Sequence, residues 1–172
     1  MWVLQNLTLL LGHPIFTLSV LLFTLLASGA LGSAFSGRVP VPAACLVVAG
    51  LGALEAFALP RLVPALLPLG LYARVAIAIV LIAPLGLAMG MPFPRGLQKA
   101  GHGSLPAPPF YWGLNGIMSV LGSIATVGVA LSLGFRAAML VGSACYLLAA
   151  LASSSLSWRS APSNLRAGQI LE

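Results

Sequence analysis

The chain has 172 residues and ten charges: eight Lys or Arg, two Glu and no Asp. At 6% charged and 60% hydrophobic, against roughly 25% charged in a soluble domain, it cannot coat a water-soluble fold with polar side chains. It is also too apolar to be disordered, with a mean hydropathy of +1.08.

No Asp, Glu, Lys or Arg occurs in residues 1–37, 75–94, 100–135 or 137–158. About 20 mostly apolar residues cross the hydrocarbon core as a helix, so the sequence predicts an all-α, polytopic transmembrane helical bundle. The runs are continuous, which excludes a β-barrel of alternating segments.

In chain order, residues 2–11 are apolar but too short to cross, and Gly12-His13-Pro14 separates them from the next apolar run. They read as an interfacial segment or the end of something longer. The start lacks the basic residues of a signal peptide, so a retained span is expected. Span one is 14–34, with Pro14 suited to a first helical turn. Span two is 42–59. Pro60, Pro64 and Pro68 then crowd residues 60–70, and interior prolines break helices, so this stretch reads as a re-entrant or interfacial connector. Span three is 72–91, kinked at Pro84. Residues 92–109 hold five Pro and three Gly and read as the longest loop. Span four is 110–133 and span five 136–156. Residues 1–157 thus form one transmembrane module, followed by a polar tail, 158–172.

The basic residues stand singly near predicted helix ends, as bilayer anchors do. A nucleic-acid surface would cluster them, so no nucleic-acid partner is expected. Arg38, Arg95, Lys99, Arg159 and Arg166 fall on one side, and Arg61, Arg74 and Arg136 on the other. That excess predicts a cytoplasmic C-terminus. Cys45 and Cys145 sit in apolar runs and behave as small hydrophobes. His13 and His102, the sole histidines, fall on opposite membrane sides, so no metal site and no cofactor is expected.

Glu55 is the one acid inside a span, and an intramembrane carboxylate is a functional candidate by default. The plain alternative is that it lies near the end of span two, reaching the interface or pairing with Arg61 or Arg74. Residues 46–55, LVVAGLGALE, imitate a nucleotide-binding turn but lack its third glycine and its βαβ setting, which rejects that reading. Trp112, in Phe110-Tyr111-Trp112, fits an interfacial aromatic belt. Asn115, Ser119 and Ser123 share one helical face, either a solute stripe or interhelical hydrogen-bonding groups. Small residues recur every four positions at Ser28, Gly32, Ser36; at Gly86, Gly90; at Gly122, Thr126, Ala130, Gly134; and at Cys145, Ala149, Ser153. Such rows let helices approach closely, and the span-four row is expected to face another helix.

Gly90-Met91-Pro92-Phe93-Pro94-Arg95-Gly96-Leu97, and then Trp112-Gly113-Leu114-Asn115-Gly116-Ile117-Met118-Ser119-Val120-Leu121-Gly122-Ser123, resemble the membrane portion of bacterial spermidine-synthase-like multi-pass proteins. These are fusions of a transporter-like module with an aminopropyltransferase-like domain. Gly12-His13-Pro14, Gly29-Ala30-Leu31-Gly32-Ser33 and Leu133-Gly134-Phe135 fit the same resemblance, which covers roughly residues 10–150. It implies a bacterial inner-membrane location and a soluble synthase-like partner, and it carries over no catalytic residue. Aminopropyl transfer needs acids to bind a polycation and a base to accept a proton; with Glu55 and Glu172 alone, such catalysis would need another domain or chain. The expectation is therefore a non-catalytic membrane module that anchors or scaffolds a partner, as an oligomer or complex subunit in the lipid bilayer. The alternatives are a transporter or transporter subunit for a small solute, and the membrane part of a spermidine-synthase-like enzyme. The residues singled out are Glu55, Arg95, Trp112, Asn115, Ser119 and Ser123.

Overall fold

The computed structural model describes residues 1–101 and 108–155, and all their regular structure is helical. The helices are α1 (Trp2–Leu11), α2 (Pro14–Phe35), α3 (Val41–Leu66), α4 (Leu71–Met89), α5 (Pro92–Gly101), α6 (Pro108–Leu133) and α7 (Phe135–Ser155), with a 3-10 turn at Ser36–Arg38. Among the described residues, five helices are long and apolar enough to cross a membrane. The chain is an all-α bundle with the pattern of an integral membrane protein. Position 102 and the tail expected at 158–172 lie outside the described residues.

Two glycines make the sharp corners. Gly12 ends α1 at φ +83° with its N–H on the Thr8 carbonyl, and Gly134 separates α6 from α7 at φ +88° with its N–H on the Ala130 carbonyl. These are left-handed caps that a Cβ disfavours. Pro14 then opens α2, where a missing N–H costs nothing.

α1 is no surface segment. Leu7 and Leu10 are fully buried and meet Leu21 of α2, Val63 of α3, and Ala78 and Ile82 of α4. A second cluster joins Val48 of α3 and Leu85 and Ala88 of α4 to Met139 and Tyr146 of α7. The closest helix approach is α2 on α4. A Cβ at Gly32 would fall on the Leu87 backbone, one at Gly86 on the Ser28 hydroxyl, and one at Gly90 on the Gly29 backbone. Backbones this close are what small residues permit in lipid. Where α3 meets α7, a Cβ at Gly52 would lie 2.6 Å from Ser143 Oγ.

Two expectations need correcting. Span two does not end at 59: α3 continues through Pro60 and Pro64 to Leu66. Both prolines are exposed, while the neighbouring Leu59 and Val63 are buried. Each proline strands a single carbonyl four residues back. Unwinding 60–66 would strand many more backbone groups in apolar surroundings, so the helix persists. The loop expected at 92–109 begins instead as α5, because Pro92 and Pro94 fall in a first turn whose N–H groups need no partner. The span-four row is open within the chain at Gly122 and Thr126, which are exposed, although Ala130 at its end is buried. Nothing lies within 4 Å of a Cβ at Gly113, Gly116, Gly122 or Gly128. Just 6% of the apolar window of α6 is buried, against 39% for α3. A small-residue row permits close approach but does not supply the second helix.

Candidate functional site

Glu55 lies well inside α3, with eleven helical residues after it, about 16 Å at 1.5 Å per residue. It is 7% exposed and its Oε2 is buried without a hydrogen-bond partner. Its place in α3 is not the helix end that was expected, and the arginine pairing fails because both arginines are engaged elsewhere. Arg61 Nη1 donates to the Phe57 carbonyl at 3.0 Å. Arg74 Nε donates to the Leu69 carbonyl at 2.7 Å, Nη1 to the Leu10 carbonyl at 3.0 Å, and Nη2 to the Leu67 carbonyl. Arg74 thereby caps the end of α3 and ties α1 to it, satisfying carbonyls a helix C-terminus leaves open. The depth of Glu55 follows from α3 running past its prolines, which proline content alone conceals.

The second feature is a cavity of about 490 Å³ between the start of α3, α5, the start of α6 and the end of α7. Val41 and Cys45 line it from α3; Pro92, Phe93, Gly96 and Leu97 from α5; Tyr111, Leu114, Asn115 and Met118 from α6; Tyr146 and Ala149 from α7. The walls are almost wholly apolar. Asn115 contributes the one amide among them. Trp112 braces the wall from outside, its ring edge-to-face with Phe93 at 5.2 Å and 81°, a favoured aromatic arrangement. Tyr146 also lines a smaller neighbouring cavity of about 220 Å³ with Gly52 and Ser143.

Asn115 is thus at this cavity, and Trp112 beside it. Ser119 and Ser123 are exposed and outside the cavity lining, and Ser123 Oγ donates to the Ser119 carbonyl of its own helix at 2.8 Å. The polar stripe therefore divides. Arg95 sits on α5 between the lining residues Phe93 and Gly96. Its Nη1 donates to Gln98 Oε1 at 3.3 Å, and its Nε is buried with no hydrogen-bond partner. Cys45, Phe93, Tyr111 and Tyr146 carried no site signal in the sequence, because apolar and aromatic residues in spans look alike whether they face lipid, core or cavity. Among the described residues, no three His, Cys, Asp or Glu side chains converge. The arrangement suits an apolar guest held by shape and a single amide.

Comparison with family models, with curated proteins and with solved structures finds no match to this chain.

Proposed function

We propose that this chain is a non-catalytic integral membrane module whose α6 docks against a further transmembrane helix, anchoring or scaffolding a partner. The carrying observation is the nakedness of α6. Asn115, Gly116, Ser119, Gly122, Ser123 and Thr126 are all exposed, although such residues are typical of helix interfaces in lipid. The resemblance of 90–97 and 112–123 to spermidine-synthase-like membrane proteins supports a synthase-like partner, a bacterial inner membrane and a cytoplasmic C-terminus. It equally admits the membrane part of such an enzyme.

A photo-crosslinking residue at position 122 tests this, with position 131 as the control, since nine residues at 100° each place it on the opposite face. Crosslinks to another transmembrane segment are expected from 122 and not from 131. Gly122→Leu should abolish the association yet leave the isolated chain folded, because nothing lies within 4 Å of its Cβ. Assembly of Gly122→Leu equal to the parent's would overturn the reading.

Glu55 favours a second reading, a transporter subunit. A buried, unpaired acid in mid-span is costly, about 2.5–3.5 kcal/mol for a charged residue on insertion scales, and its retention points to ion or solute coupling. Glu55→Gln keeps the shape of the side chain. Solute flux or proton coupling in proteoliposomes that vanishes in this variant, with assembly intact, would establish transport over scaffolding.

A further inference from the structure

The apolar cavity lies at one end of the bundle, and among the described residues the charges at that end are all basic. Arg38 stands in the turn that packs against α5, three residues before the lining residue Val41. Arg95 and Lys99 belong to α5 itself, and no acidic residue occurs between Glu55 and Glu172. α5 is strongly two-sided: Phe93, Gly96 and Leu97 face the cavity, while Arg95 and Gln98 supply polar positions. A short helix of this kind lies at the level of lipid headgroups.

We propose that this cavity is a binding site for an anionic phospholipid, with an acyl chain inside and the phosphate held by Arg95 and Arg38. Three observations converge. The cavity volume of about 490 Å³ falls within the range of about 300–1,000 Å³ usual for small-molecule sites. Its walls demand an apolar guest, and its position in an apolar bundle gives lipid chains direct access. Arg95 Nε is a buried donor with no acceptor, an arrangement that carries a free-energy penalty until one arrives, and phosphate oxygens match a guanidinium fork. An apolar second transmembrane helix would fill the space but leave Arg95 Nε without an acceptor. Phosphatidylcholine would fill the space too, but its choline cancels the phosphate charge.

The cavity borders the α6 docking face at Asn115, but Gly122 lies outside the cavity lining and Gly96 outside α6, so variants at these two positions let the two proposals fail separately. The full chain, purified in mild detergent, is incubated with equimolar phosphatidylglycerol and phosphatidylcholine of identical acyl chains, and bound lipid is read by native mass spectrometry. Phosphatidylglycerol should be retained preferentially, by about fivefold for each engaged basic side chain. Arg95→Gln should lower the preference by about fivefold without abolishing lipid retention. Gly96→Leu should lower retention of both lipids by obstructing the cavity. Nothing lies within 4 Å of a Cβ at Gly96, so the helix tolerates the change. Ala149→Leu fills the space from the α7 wall and gives the same reading if Gly96→Leu does not fold. Equal retention of the two lipids by the parent, or undiminished retention in the folded cavity-filled variant, would overturn the proposal.

Discussion

Gly90 and Gly116 separate a packed backbone from an open surface by a single carbon. A Cβ at Gly90 collides with the Gly29 backbone, whereas one at Gly116 meets nothing within 4 Å. Gly90→Ala should therefore destabilise the bundle by about 1–3 kcal/mol, the range for overpacking. Gly116→Ala should stabilise α6 by up to about 1 kcal/mol through helix propensity. Unfolding in mixed micelles measures both; equal effects would mean that α2 and α4 do not cross at Gly29 and Gly90. Glu55 gives a second residue-scale test. Its Oε2 has no hydrogen-bond partner, and burying an unsatisfied polar group costs about 1–3 kcal/mol by mutational measures. Glu55→Leu, similar in volume, should raise the stability of the chain by that order. A loss of stability would reveal a partner for the carboxyl group.

Among the elements, α3 shows how a helix survives residues that usually end one. Pro60 and Pro64 are exposed, while Leu59 and Val63 beside them are buried, Val63 in the cluster with Leu7 and Leu10 of α1 and Ala78 and Ile82 of α4. An interior proline costs about 3 kcal/mol, so Pro60→Ala should stabilise α3, visible as a higher unfolding midpoint. The same change should leave the docking of α1 intact. Arg74 closes the end of this helix by donating to the carbonyls of Leu67, Leu69 and Leu10. Arg74→Ala should cost about 2–3 kcal/mol, the upper range for hydrogen bonds from a charged donor. Arg74→Lys should recover part of that loss, since one ammonium cannot reproduce a three-nitrogen fork. Residues 60–70 were misleading in the sequence for a definable reason. Proline content reports local cost, while continuation of the helix depends on which neighbours bury the alternate face.

For the molecule as a whole, the turns at Gly37 and Gly70 flank α3, and neither glycine has a neighbour within 4 Å of its Cβ. With Cys45 and Cys145 replaced by alanine, Gly37→Cys and Gly70→Cys should label from opposite sides of the membrane. On the proposed orientation Gly37→Cys is the cytoplasmic one. Labelling of both from one side would remove α3 from the set of spans. The five apolar runs long enough to cross were readable directly, because a helix needs only length and hydrophobicity to enter a bilayer. Pro14 as a first-turn residue, Pro84 inside α4 and the Ser28, Gly32, Gly86 and Gly90 rows were readable for the same local reason. Which small residues pack was not. The Gly32 and Gly122 rows look equivalent in sequence, yet a Cβ at Gly32 meets the α4 backbone and one at Gly122 meets nothing within 4 Å. The position of Glu55, the bracing of Phe93 by Trp112 and the cavity beside Asn115 each join residues from separate helices. Length and hydropathy are properties of a segment and are written in it; close approach and enclosure are properties of pairs of segments, and the tertiary structure alone decides them.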